Sequence, residues 1–236
     1  MMLDIPYHIT LVFILTTLFT LVLFLISLAV SSDPTIQKRA HFISLILLLW
    51  TIFQSTLALN AWYMDRDSVP PHIAFPVITF SIVILSLFLL PRGRRLLDGF
   101  SMKHLIWIHV VRIPVELCLY CLAQNKQVPV SMTFEGYNYD IIFGLTAPLV
   151  AIAYFNRKWI SSKVFLAWNI FGIISLLAIV IRAAGAAPTK LQTWDFEQPN
   201  YAVLHFPFIW LPSVIVPIVL LAHLIAVRRF VLKKDI

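Results

Sequence analysis

The residues that invite a chemical reading are four polar side chains inside an otherwise apolar run: His109, Arg112, Glu116 and Tyr120. On a helix turning about 100° per residue they fall within an arc of about 80°, one polar stripe on one face. An ionised side chain at the centre of a bilayer costs about 2.5–3.5 kcal/mol on insertion scales, so the stripe has to face other helices or a wet cavity. Arg112 and Glu116 stand four residues apart, the spacing at which opposite charges pair along a helix. Pro114 lies between them, removes one backbone hydrogen bond and kinks the helix there. Two readings stay open: the pair neutralises itself and locks a bundle, or it lines a cavity that the kink opens.

Three further polar residues fall at the ends of other apolar runs. Asp140 opens one, Arg182 closes the next and His205 opens the last. If those ends lie on the same side of a membrane as Glu116, four helices present Glu116, Asp140, Arg182 and His205 to one outward cavity. Arg112 and Arg182 would suit an anionic headgroup or carboxylate there. Glu116, Asp140 and His205 are also the ligand types of a divalent metal such as zinc, with Arg as an outer partner. They are scattered singly, however, and form no metal-binding motif. His223 lies eighteen residues after His205, too far along one helix for a shared site. The sequence therefore commits to no metal ligand and no catalytic residue.

Cys118 and Cys121 form a Cys-Leu-Tyr-Cys segment that resembles the CxxC of membrane thiol oxidoreductases. Those enzymes need a second cysteine pair, which this chain lacks, and both thiols point away from the charged stripe. Two small apolar packing residues are the simpler reading.

The elements that must position these groups are membrane helices. Of 236 residues, 60% are hydrophobic and 12% charged, with a mean hydropathy of +0.89. An ordinary soluble domain is about 45–50% apolar and about 25% charged, so a water-facing globule is excluded. Seven apolar windows emerge, at about 7–30, 42–62, 73–90, 105–124, 138–156, 164–184 and 203–227, bounded by charges, prolines or glycines. The fold class read from them is an all-α, seven-helix polytopic bundle in a single transmembrane domain. The fifth window is short, which draws Asp140 about a turn into the bilayer.

Thirteen of the 18 Lys and Arg residues fall in one set of alternating connections and three in the other, with Arg112 and Arg182 inside windows. By the positive-inside rule the N-terminus lies outside and the C-terminus, with Lys233 and Lys234, inside. The formal charge of +7 is thus a topological signal and calls for no nucleic-acid partner. The two longest connections, about 125–139 and 185–202, are then both outer. They carry prolines and aromatics suited to lying on the membrane or folding over the bundle.

Seven helices with an outer N-terminus resemble rhodopsins, but all eight lysines lie outside the span interiors, so no retinal Schiff base can form. Membrane hydrolases of the ceramidase and progestin-receptor type carry paired histidines one turn apart, which are absent here. No Walker A, GxSxG or HExxH pattern appears, and no repeat links helices one to three with five to seven. Pro148, Pro207, Pro212 and Pro217 read as curvature or as breaks lining a cavity. Gly136, Gly144, Gly172 and Gly185 read as close helix packing.

The segments MTFEGYNYDIIFGLTAP, 132–148, and QPNYAVLHFPFIWLPSVIVPIVLLAH, 198–223, resemble an uncharacterised group of bacterial multi-pass membrane proteins. The resemblance runs from the fourth window onward. It implies a bacterial inner-membrane protein and supplies no activity, substrate or cofactor. The function expected is binding or transport of a small amphipathic or anionic molecule, a lipid among them, in an outward cavity lined by the seven polar residues named. An embedded metal-dependent hydrolase and a structural subunit of a membrane complex are the alternatives.

Overall fold

The computed structural model describes residues 5–31 and 33–232; Lys233 and Lys234 lie outside them. Among the described residues there is no strand. Eight helices follow one another: α1 Tyr7–Ala29, α2 Pro34–Leu59, α3 Ala74–Leu89, α4 Pro91–Gly99, α5 Met102–Gln124, α6 Asp140–Asn156, α7 Ser162–Ala186 and α8 Leu211–Val231. Five of them, α1, α2, α5, α7 and α8, are long and apolar enough to cross a membrane. The number becomes six if α3 and α4, which meet at 92°, form one span. The chain is therefore all-helical with five to six candidate membrane-spanning helices.

The surface is as apolar as the core, and several polar groups are buried within that core. Leu45, Leu48, Leu49 and Ile52 of α2 are exposed, whereas Gln54, Arg112, Glu116, Asp140, Asn169 and His223 are buried. Exposed leucines, with polar side chains kept inside the bundle, are what a hydrocarbon solvent selects. Buried hydroxyls on α1 are satisfied within their own helix, Thr16, Thr17 and Thr20 donating to the carbonyls four residues back.

Local chemistry sets the helix ends. Asp33 caps α2 by accepting from Thr35 N at 2.8 Å, with Pro34 at the first helical position. The second apolar window expected at 42 thus extends back to Pro34, and Lys38 and Arg39 ride on its first turns. Pro91 holds Leu90 extended (φ −81°, ψ 139°), which ends α3 and starts α4 at a right angle. The third window matches α3, but α4 was not expected as a helix. In α5, Pro114 has no amide for Val110, and the preceding stretch Ile106–Val111 tightens into a 3-10 helix.

The seventh window departs most from expectation. Residues 203–210 are not part of a membrane helix: Ala202–Leu204 is a 3-10 turn, Pro207 interrupts the chain, and α8 begins only at Leu211. Pro217 has no amide to offer the carbonyl of Ser213, and the Trp50 indole donates to that carbonyl at 2.9 Å.

α8 packs on α7, α6 lies on the tightened part of α5, α1 lies on α2 and α5, and α3 rests on α8. At one end the connections α2–α3, α5–α6 and α7–α8 interlock. Ser131 donates to Asp195 at 2.7 Å, Gln198 to the carbonyls of Ala123 and Val128, and Lys190 N to Arg66 O at 3.3 Å. At the opposite, basic end, Arg228 pairs with Asp98, Arg229 donates to the carbonyls of Asp98 and Phe100, and Ser101 N donates to Ser27 O.

Candidate functional site

Helices α5, α6, α7 and α8 meet closely because two positions carry no side chain. A Cβ at Gly144 of α6 would stand 2.8 Å from Ile113 Cγ1 and 3.3 Å from Arg112 Cβ, so glycine lets α6 lie against α5 beside Arg112. A Cβ at Gly172 of α7 would stand 2.4 Å from the His223 ring, so glycine makes room for that imidazole. In 3-10 geometry residues i and i+3 eclipse, which brings His109 into line with Arg112 on α5.

Arg112 is the hub. Its NH1 lies 3.5 Å from Asp140 Oδ1, and its NH2 is 3.1 Å from His223 Nε2 and 3.4 Å from the Gly172 carbonyl. The ion pair expected along the helix with Glu116 is not formed; Arg112 turns to three groups on α6, α7 and α8 instead. Asp140 is the first residue of α6, where the helix dipole favours a carboxylate. Ser175 donates to its Oδ1 at 2.5 Å, and its backbone amide donates to Asn138 Oδ1 at 3.1 Å. The Asn138 amide in turn donates to Glu116 Oε1 at 2.6 Å and to Met132 O at 3.0 Å.

The tautomer of His223 follows from its neighbours. The Asn169 amide nitrogen donates to Phe165 O at 2.8 Å, leaving Asn169 Oδ1 as an acceptor 2.8 Å from His223 Nδ1. His223 therefore carries its proton on Nδ1 and accepts from Arg112 at Nε2. Its other face stacks on His109, with ring centroids 3.9 Å apart, and Trp168 meets His109 edge-on at 5.2 Å. Trp168 is fixed by its own hydrogen bond to Thr146 at 3.0 Å.

Arg112, Glu116, Asn138 and Asp140 also form one wall of a cavity of about 460 Å3. The cavity lies between α3 and α7, with α5 and α8 on its other sides, and reaches the interlocked connections at Pro71, Ala187 and Asn200. Apart from this polar patch its walls are largely apolar, for example Val77, Ile84, Leu176, Val180 and Val219. Four polar atoms of these lining residues are enclosed by protein and make no hydrogen bond: Arg112 Nε and NH1, Glu116 Oε2 and Asn200 Oδ1. NH1 has its Asp140 contact at ion-pair distance.

Of the residues singled out in the sequence, Arg112, Glu116 and Asp140 come together on the cavity. His109 stands behind them in the enclosed ring stack. Tyr120 stacks on Phe134 with centroids 5.1 Å apart, away from the cavity. Arg182 lies over the rings of Tyr137 and Trp194, at 4.5 and 5.7 Å, and does not join Arg112. His205, in the segment before α8, contacts Tyr201 O at 2.9 Å and is not on the lining. The set Glu116, Asp140 and His205 is thus not assembled. Among the described residues no three His, Cys, Asp or Glu side chains stand together as a metal site would require.

Asn138, Asn169 and Ser175, which were not singled out, complete the network together with His223, which was set aside only as a partner of His205. Asn169, Gly172 and Ser175 recur every third residue on α7, and His223 interrupts an apolar run. Those were the available signals, and each becomes meaningful only once α7 and α8 are placed against α5.

Residues 69–231 match a protein family described as a domain of unknown function, DUF8737. The chain belongs to that family. The resemblance to an uncharacterised group is of the same kind. No curated protein and no solved structure matches the chain. The DUF8737 region takes in the whole network from His109 to His223 and every residue lining the cavity, whereas α1 and α2 precede it.

Proposed function

We propose that this chain crosses a membrane seven times, with its N-terminus outside, and binds or transports a small amphipathic molecule in the cavity between α3 and α7. The observation that carries the reading is the cavity itself. Apolar walls suit a hydrocarbon body, and the polar patch of Arg112, Glu116, Asn138 and Asp140 suits a polar head. Its volume of about 460 Å3 falls in the range of small-molecule sites, about 300–1,000 Å3.

The seven-pass count is supported by how the segments alternate between the two ends. The bent pair α3–α4 starts at the interlocked connections and finishes at the Arg228–Asp98 contact. α6 starts at the interlocked end with Asp140 and finishes beside α7, where Tyr154 meets Ser162 at 2.9 Å. At about 1.5 Å per residue its 17 residues span about 25 Å, a little short of the hydrocarbon thickness of about 30 Å. Orientation rests on the basic residues, which crowd the end opposite the interlocked connections. The cavity then faces outward beneath those connections, and residence in a bacterial inner membrane rests on the sequence resemblance alone.

The test is extraction of small molecules from protein purified out of native membranes, followed by mass spectrometry. Wild type is expected to carry an amphipathic molecule at near-stoichiometric occupancy, and Val180→Trp, which fills the apolar part of the cavity, to lose it while staying folded. An equal small-molecule content in both proteins overturns the reading.

A further inference from the structure

α3 and α7 both rest on α8. The α8 residues Pro212, Val216 and Leu220 line the cavity between them and stand four apart, in one stripe on one face. These three are half-buried, whereas Ile215, Ile218, Val219 and Leu221 around them are buried. A helix in the middle of the bundle thus keeps one accessible apolar stripe, framed by α3 and α7.

The two rims show where the frame opens. Val77 of α3 and Leu177 of α7 line the cavity and are 40% and 44% exposed. Each adjoins exposed residues of its own helix, Ile78 and Ile82 on α3, Ile174 and Ile181 on α7. The apolar lining is therefore continuous with the apolar outer surface. The interlocked end is different. Pro71, Ala187 and Asn200 on the lining there are buried. The α2–α3 and α7–α8 connections are tied together across that end: Lys190 N donates to Arg66 O at 3.3 Å, and the Lys190 ammonium stands 3.5 Å from Asp67. Leu191, exposed and also on the lining, continues the apolar rim up to this tie.

We infer that the gap between α3 and α7 is a lateral portal, through which an acyl chain of a lipid in the outer leaflet enters the cavity. This rests on the cavity being a ligand site and on the orientation given above. Water does not fill a space with such apolar walls, and an empty space forfeits the dispersion contacts of its lining. The material that lies against the rims is the hydrocarbon of the bilayer. Val77 and Ser81, the exposed lining residues of α3, lie one and two turns below its start at Ala74. Two turns cover about 11 Å, inside the outer half of a hydrocarbon core about 30 Å thick. Lipid tails are as apolar as these walls, so a chain exchanges between bilayer and cavity with no hydrophobic penalty. The ligand class is then a bilayer lipid, with its chain over Val216 and Leu220, and not a solute taken from water.

The probe is phosphatidylcholine with a diazirine midway along one acyl chain, mixed into phosphatidylcholine discs that hold the full chain. Adducts formed on illumination are mapped by mass spectrometry. Ile174 and Ile181 report chains on the outer surface, and Val216 and Leu220 report chains inside. Wild type should give adducts at both pairs. Val180→Trp, and Val77→Trp on the facing rim, should lose the adducts at Val216 and Leu220 and keep those at Ile174 and Ile181. Wild-type adducts confined to Ile174 and Ile181 overturn the portal, as do adducts at Val216 and Leu220 that survive both substitutions. The wild-type map decides even if neither variant folds. Extraction separates this failure from that of the cavity reading. An amphipathic molecule carried by wild type without adducts at Val216 and Leu220 overturns the portal alone, and the absence of both overturns the cavity as a ligand site.

Discussion

Arg112 and Glu116 differ in what their removal leaves behind. Arg112→Met strands Asp140 and the Nε2 of His223 in the bundle interior, and breaking a buried pair from one side costs about 3–5 kcal/mol. Glu116→Gln keeps an acceptor for Asn138 in a nearly isosteric side chain, so its cost should stay below about 1 kcal/mol although the residue is buried. Thermal unfolding of the two variants in the same lipid discs should therefore show a large fall for Arg112→Met and little change for Glu116→Gln. Equal falls would mean that Arg112 and Glu116 act as a pair after all. Gly172→Ala is a third probe: its methyl would enter the His223 ring space, displacing the imidazole from Arg112 and His109 at an overpacking cost of about 1–3 kcal/mol. A Gly172→Ala protein as stable as wild type would show that the His223 position is not fixed by this contact. At this scale the sequence revealed which residues were out of place in an apolar run. It could not show their partners, because a helical wheel gives the face of Arg112 and not the helix opposite it.

Helix existence was legible where an apolar run is long, as in α1, α2, α5 and α7, even where charges interrupt it. Helix limits are written by side chains that the apolar windows did not use: Ser161 accepts from Val164 N at the start of α7, and Asp33 caps α2 at Pro34, well before the window that began at about 42. The start of α8 was not legible. Residues 203–210 are as apolar as a membrane span, and only their packing in the interlocked end separates them from α8. The turn into α4 was hidden for a related reason: basic residues after Pro91 mark an inner connection and say nothing of its conformation. Prolines had a structural role that the sequence announced in general terms, a freed carbonyl in need of a donor. The structure supplies the donor in Trp50. Trp50→Phe should leave the Ser213 carbonyl unpaired and destabilise α8 by about 1–3 kcal/mol. Hydrogen exchange resolved to α8 would register this as faster exchange after Ser213, and unchanged exchange there would contradict it.

The whole molecule is read as an outward-facing container: a basic end, an interlocked end, and between them a cavity that belongs entirely to the DUF8737 region. Orientation makes a prediction of its own. With Cys118 and Cys121 replaced, single cysteines at Lys126 and Lys158 should react with an impermeant thiol reagent from opposite sides, position 126 from outside. Labelling of both from one side would remove the seven-pass topology. Composition and the distribution of basic residues made the class of molecule legible from the start. The cavity was not legible, since its walls come from five helices and their connections far apart in sequence, and its volume depends on how α3 rests on α8. The most direct measurement of the central claim is an experimental density map of the protein prepared in discs of its native lipids. The account predicts elongated density between α3 and α7 that ends beside the polar patch of Arg112, Glu116 and Asn138. A cavity closed by inward-turned side chains, with Arg112 paired to Glu116 and no density between α3 and α7, would contradict it.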